Sequence, residues 1–175
     1  MILNNYKYLR IYAETVDVSS QTLTTQMKDF DGNNVTYYPY VANQSSGLNA
    51  TYANRIIKHN IYAVLGKGNT EPTIDDYRLS DSIMGNLSNV SITQNTEIID
   101  VDGKPATKIT LNIIGYNNTS NDISVSEYGI TAHVFYSSSS ASQYKDVLLS
   151  RDVLSTPIVL EAGKGFALTI TWTEE

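Results

Sequence analysis

The sequence predicts an all-β domain, an antiparallel β-sandwich or jelly-roll-like arrangement with short helical turns, and three observations carry that prediction. The composition favours Ser, Thr, Asn and Tyr over Lys, Glu and Ala, which suits strands and turns better than helices. Several segments alternate apolar and polar residues with the period of two that a half-buried strand requires. Gly-, Asn- and Asp-rich turn signals separate those segments through to the C-terminus, with no helical stretch of ten or more residues between them, as a βαβ fold would need.

Taken in order, "RIIKHNIYAVLG" from Arg55 puts Ile57, His59, Ile61, Ala63 and Leu65 on one face of a strand and Ile56, Tyr62 and Val64 on the other. Both faces are expected to be at least partly buried. "TIDDYRLSDSIMGNL" is expected to give a helical turn or two after Thr73, with Thr73 as N-cap and Asp75 and Asp76 in the first turn. Asp102-Gly103 predicts a tight hairpin between "EIIDV" and "TKITLNII". In the second of these strands Ile109, Leu111 and Ile113 face the core, and Lys108, Thr110 and Asn112 face water. "GFALTITW" is the cleanest alternation, with Phe166, Leu168, Ile170 and Trp172 inward and Ala167, Thr169 and Thr171 outward. Further turns are expected at Asp31 to Asn34, Asn117 to Asn121, Ser137 to Ser140 and Gly163 to Gly165.

The chain of 175 residues fits a single domain, 1–175, in which residues 1–55 form an N-terminal arm or an edge segment, being polar, tyrosine-rich and broken by Pro39. A net charge of −6 argues against nucleic acid as a partner, because phosphate recognition needs clustered Lys and Arg. No apolar run reaches the ~18 residues of a membrane-spanning helix, and the first residues lack the basic and apolar regions of an export signal, so a soluble, unexported product with no membrane partner is expected. Zero cysteines exclude disulfides, thiolate catalysis and Cys-ligated zinc, and leave His59 and His133 as the only imidazoles.

The stretch with the most chemical promise is "VLGKGNTEPTIDDYRL", from Val64 to Leu79. Gly66-Lys67-Gly68 after an apolar run looks like the start of a phosphate loop, but Lys67 lies between the glycines, Glu71 would repel an anion and Pro72 lacks an N–H. The expected reading is a turn that ends a strand, with no nucleotide bound. "DVDGKPATKITL" from Asp100 fails the calcium-loop pattern, since Gly103 falls at position four and Leu111 at twelve. Asp75, Asp76 and Asp81 read as solvated acids on a short segment, and neither histidine has a nucleophile motif beside it. A non-enzymatic protein without metal or cofactor is the expectation. The tyrosines of "TYYPY" and its surroundings, Tyr37, Tyr38, Tyr40 and Tyr52, are the candidate interface or ligand surface, because Tyr joins a broad rigid face to a polar tip.

The same stretch resembles the glycine-turn segment of accessory virion proteins of tailed bacteriophages, in which a strand ends in G-x-G and is followed by a polar stretch, Pro, an acid and Leu. Gly66, Gly68, Pro72, Asp76 and Leu79 match. "SEYGI" at Ser126 to Ile130 and "LLSRDVLSTPIVLEAGKGFALTITW" from Leu148 to Trp172 extend the resemblance over residues 56 to 173. In such proteins an E-x-G-[LI] segment precedes a strand and an R-[DE] pair precedes a final hairpin. The resemblance implies a virion structural subunit, of head-fibre or decoration type or of tail-fibre or baseplate type. Its partners would be other capsid or tail proteins and copies of itself, with a trimer favoured by analogy with phage fibres. The rival expectation is a carbohydrate-binding module or host-surface adhesin whose partner is a host-surface glycan.

Overall fold

The computed structural model describes residues 1–3, 5, 23–37, 61–138 and 141–174. Its strands are β1 (Leu23–Lys28), β2 (Asn34–Tyr37), β3 (Ile61–Gly66), β4 (Leu87–Val101), β5 (Lys104–Asn117), β6 (Ile123–Ser138), β7 (Ala141–Leu160) and β8 (Gly165–Glu174). They form two sheets, one ordered β1-β2-β6-β3 with β7 paired to β6, the other ordered β4-β5-β8. The pairings β1–β2, β2–β6, β4–β5 and β5–β8 are antiparallel, so the all-β class expected from composition and alternation is the class observed.

Two compact units are present: residues 1–61, 71–79 and 129–152 make the first, and residues 62–70, 80–128 and 153–175 make the second. In the second unit, Asp102 and Gly103 take φ of 53° and 79°, both left-handed, which closes β4 onto β5 with Val101 opposite Lys104. That is the two-residue hairpin turn whose twist matches its strands, and Asn-Gly or Asp-Gly sequences supply it. Along β5 and β8 the pairs Ile109–Trp172, Leu111–Ile170 and Ile113–Leu168 lie opposite one another. Ile109, Leu111, Ile113, Ile170 and Trp172 are buried and Leu168 and Phe166 half-buried, while Ala167, Thr169 and Thr171 are exposed, so the predicted alternation holds. Phe166 lies over Gly115, where a Cβ would meet its ring at 2.6 Å. β3 is covered on both faces, with Ile61, Ala63, Val64 and Leu65 all buried. Its described extent begins at Ile61, and Arg55 to Asn60, with His59, lie outside the described residues.

In the first unit, β1 and β2 form a hairpin within the segment that shows no alternation in the sequence. Its strands, LTTQMK and NVTY, hold too few apolar residues for an alternation to show. Asp29 turns the corner: its Oδ1 accepts the N–H groups of Asp31 and Asn33 at 3.0 and 2.9 Å, and Gly32 has φ of 82° against the Tyr77 ring. Met27 and Val35 are buried, as are Ile130, Ala132 and Val147 to Leu149. Leu3 donates its N–H to Leu149 O at 2.9 Å, so the first residues pair with β7.

Three local expectations need correction. The segment after Thr73 is a turn and not a helix: Thr73 N–H and Oγ1 both bond the Asp76 carboxylate, at 3.0 and 2.8 Å, and Asp76 N–H returns to Thr73 O at 3.1 Å. The hydroxyl bond is thus the reverse of that expected, donated by the threonine to the acid, and the single turn it closes does not continue into a helix. The helical turn falls later, as a 3-10 turn at Met84–Asn86. Finally, "SEYGI" lies inside β6 and does not precede a strand, and Arg151-Asp152 lies inside β7, whose following strand β8 pairs with β5.

Candidate functional site

The candidate site is built where β3 ends. Lys67 N–H reaches Asp81 O and Ile83 N–H reaches Leu65 O, each at 2.9 Å, so the segment Ser80 to Ile83 returns alongside the strand end. Facing this narrow pair of strands is Glu127 of β6, which is fully buried and shares an inward face with Ile123 and Val125. Its Oε1 accepts the N–H of Gly68 at 3.1 Å, the N–H of Asp81 at 2.8 Å and the Ser80 hydroxyl at 3.2 Å, and its Oε2 accepts the N–H of Ser80 at 3.2 Å. A buried carboxylate is tolerated only where several donors replace its water, and four donors converge here.

The two glycines exist for this carboxylate. A Cβ on Gly66 would stand 2.5 Å from Oε1, 2.7 Å from Cγ of Glu127 and 2.8 Å from the Asp81 carbonyl oxygen. A Cβ on Gly68 would overlap the Ser80 hydroxyl and stand 2.5 Å from Oε1. Neither glycine has a positive φ, so what each supplies is space. The loop is an anion cradle in its geometry, and the anion it holds is the chain's own side chain. Lys67 is not part of the cradle; its Nζ lies 3.5 Å from Asp81 Oδ2 with both side chains about half exposed.

A second polar cluster lies in the first unit. Arg151 is buried and donates from Nη1 to Asp76 Oδ2 at 2.6 Å. Burial works against ionisation of Asp76, but the Thr73 N–H and the Arg151 guanidinium outweigh it and hold the carboxyl below its usual value. Asp29 is held low in the same way: burial opposes its charge, and the Asn33 N–H and Lys145, whose Nζ is 3.2 Å from Oδ2, prevail. Among the described residues no group of three His, Asp or Glu side chains is placed to hold a metal.

Of the residues singled out in the sequence, Gly66, Gly68 and the "SEYGI" glutamate meet in one cradle, and Asp76 meets the Arg151 of the Arg-Asp pair. Tyr38, Tyr40 and Tyr52 lie outside the described residues, and of Tyr37 only the backbone, paired with Tyr136 in β2–β6, is described. His133 lies in β6. Glu127 itself was not legible as a functional side chain, although one signal pointed to it: an acid at an inward position, in register with Ile123 and Val125, must have donors waiting for it. Comparison of the chain with protein-family models, with curated proteins and with solved structures finds no match.

Proposed function

We propose that this protein is a non-enzymatic structural subunit that works through protein–protein contacts, and specifically an accessory virion protein of a tailed bacteriophage, of head-fibre or decoration type or of tail-fibre or baseplate type. The observation that carries the reading is how the buried charges are employed. Glu127, Asp29 and Arg151 each bind backbone amides or an opposite charge of the same chain, fixing a loop or a hairpin corner. Chemistry of that kind makes a rigid surface. The second unit also presents the exposed side of the β4-β5-β8 sheet, where Thr93, Asn95, Asn112, Thr169 and Thr171 form polar rows beside the exposed Ile114. A polar, regularly paired face repeated on many copies suits assembly on a particle, where avidity multiplies weak contacts. The partners are other copies of the chain and neighbouring capsid or tail proteins, and the location is the virion. Mass spectrometry of gradient-purified particles tests the reading: the protein should co-purify at a fixed ratio to the major capsid protein, and its presence only in the soluble lysate would overturn the assignment.

A further inference from the structure

Of the ten glycines in the chain, only Gly32 and Gly103 follow an aspartate, and none follows an asparagine. In an Asp-Gly pair the glycine nitrogen has no Cβ beside it, so it reaches the preceding side-chain carboxyl more easily than any other residue's nitrogen does. The fold treats the two pairs differently. At the β1–β2 corner, Asp31 donates its N–H to Asp29 Oδ1 at 3.0 Å, and Gly32 donates its N–H to the Asp29 carbonyl oxygen at 2.9 Å. A Cβ on Gly32 would stand 3.2 Å from Cζ of Tyr77, so a ring also packs against this residue. The Asp31–Gly32 peptide is therefore tied on both sides to the buried Asp29, and the acceptor on its glycine nitrogen is a peptide oxygen, which takes no proton near neutral pH.

At the β4–β5 turn the surroundings are open. Asp102 and Gly103 are both exposed, and nothing lies within 4 Å of where a Cβ on Gly103 would stand. The Asp102 carboxyl makes no hydrogen bond or ion pair among the described residues, so nothing holds its Cγ away from the next nitrogen. Here the Gly103 N–H is donated to Asp100 Oδ1 at 2.9 Å, and a carboxylate, unlike a peptide oxygen, can accept the proton that this nitrogen must lose to become a nucleophile. Asp102 also has φ of 53°, a left-handed conformation that a residue with a Cβ holds at a cost. A hairpin tip opens locally without disturbing the ladder behind it, so the reacting atoms can align.

The geometry points to Asp102-Gly103 as a self-modification site, at which the chain converts Asp102 to a β-linked isoaspartate with water as the only co-reactant. The Gly103 nitrogen attacks Cγ of the protonated Asp102 carboxyl. Its proton passes through the Asp100 carboxylate to the departing hydroxyl, which leaves as water, and a cyclic succinimide remains. Water then adds to one of the two ring carbonyls. Addition at Cγ breaks the new C–N bond and restores aspartate; addition at the main-chain carbonyl breaks the original bond to Gly103, and the backbone then runs through Cγ. The composition is unchanged, but the turn gains one backbone atom between Val101 and Lys104 and loses the left-handed constraint at Asp102. This inference goes beyond the assembly role proposed above and does not depend on it.

The test is to age the folded full-length protein in warm, mildly acidic buffer and to assay it with an isoaspartate-specific methyltransferase and a labelled methyl donor. Label should accumulate with time, and peptide mapping with electron-transfer fragmentation should place the isoaspartate at position 102 and not at 31. In concentrated urea the two Asp-Gly pairs should react alike, because the selectivity belongs to the fold. Asp100→Asn, which removes the proton acceptor and keeps the side-chain shape, should slow the reaction at Asp102 several-fold in the folded protein. No label in the folded protein, reaction at Asp31 as fast as at Asp102, a preference for Asp102 that persists in urea, or an unchanged rate in Asp100→Asn would each overturn the proposal. The virion test stands apart, because it asks where the protein is found and not what its turn becomes.

Discussion

Oδ2 of Asp76 lies 2.6 Å from Nη1 of Arg151, and the arginine side chain is almost wholly buried while the aspartate is partly open to solvent. Removing the acid breaks a largely buried ion pair, a change that costs on the order of 3 kcal/mol. Asp76→Asn should show that loss in urea denaturation at pH 7. The folded carboxyl is held below its ordinary value of 3.8, so its contribution is complete above that value and is lost as pH falls through the lower folded one. The gap between native and variant should therefore narrow in acid, and a gap independent of pH from 7 down to 2 would show that the ion pair is not its source.

Gly68→Ala should destabilise by about 1–3 kcal/mol, the usual range for overpacking, because the new methyl meets the Ser80 hydroxyl and Glu127. Adding Ser80→Ala removes one of the two obstacles and should recover part of the loss. Gly66→Ala meets the Asp81 carbonyl oxygen at 2.8 Å as well as Glu127, and the same second change should not help it. A double-mutant cycle by chemical denaturation reads the difference, and equal recovery in the two backgrounds would contradict the geometry.

Glu127→Gln keeps the shape of the side chain but places an amide NH2 among amide and hydroxyl donors, so at least one buried donor loses its acceptor, at about 1–3 kcal/mol. Lys67→Ala breaks only an exposed ion pair and should change stability by less than about 1 kcal/mol. Titration calorimetry with millimolar ATP should give no saturable heat for the native protein, since the cradle's N–H groups are already committed to Glu127.

On β8 the cost of truncation should follow burial. Ile170→Ala, at a buried position opposite Leu111, should cost about 2–5 kcal/mol through lost transfer energy and cavity, and the half-buried Leu168 should cost less. Thr169→Ser, on the exposed face where Oγ1 bonds Asn112 Oδ1 at 3.0 Å, should stay within about 0.5 kcal/mol. Equal losses at Ile170 and Thr169 would mean that the two faces are not distinguished as described.

Where a single period or a single dipeptide decides local structure, the chain was readable in advance. The alternation of Phe166 to Trp172 and the Asp102-Gly103 turn depend on neighbours within a few residues, and both stand in the structure as expected. The cradle was not readable, because its parts come from positions 68, 80, 81 and 127 and only the fold brings them together. The glycines were legible as special but were assigned to a turn, since sequence shows that a Cβ is missing and not which distant atom needs its space. Thr73 was misassigned because a threonine ahead of two acids fits an N-cap and also an acid-closed turn, and the difference lies in which residue donates.

The crowding around Glu127 also bears on inheritance. Gly66, Gly68, Ser80 and the glutamate occupy one small volume, so a change at any of them is tolerable only with a compensating change at another. A larger residue at position 68 demands a smaller one at 80, and loss of the acid at 127 frees 66 and 68 to vary while stranding the amides that it served. In any descendant of this chain these four positions should drift as a block, so that a distant relative is recognised by the joint presence or joint absence of two glycines, a serine and an inward-facing acid, even where no stretch of sequence remains similar.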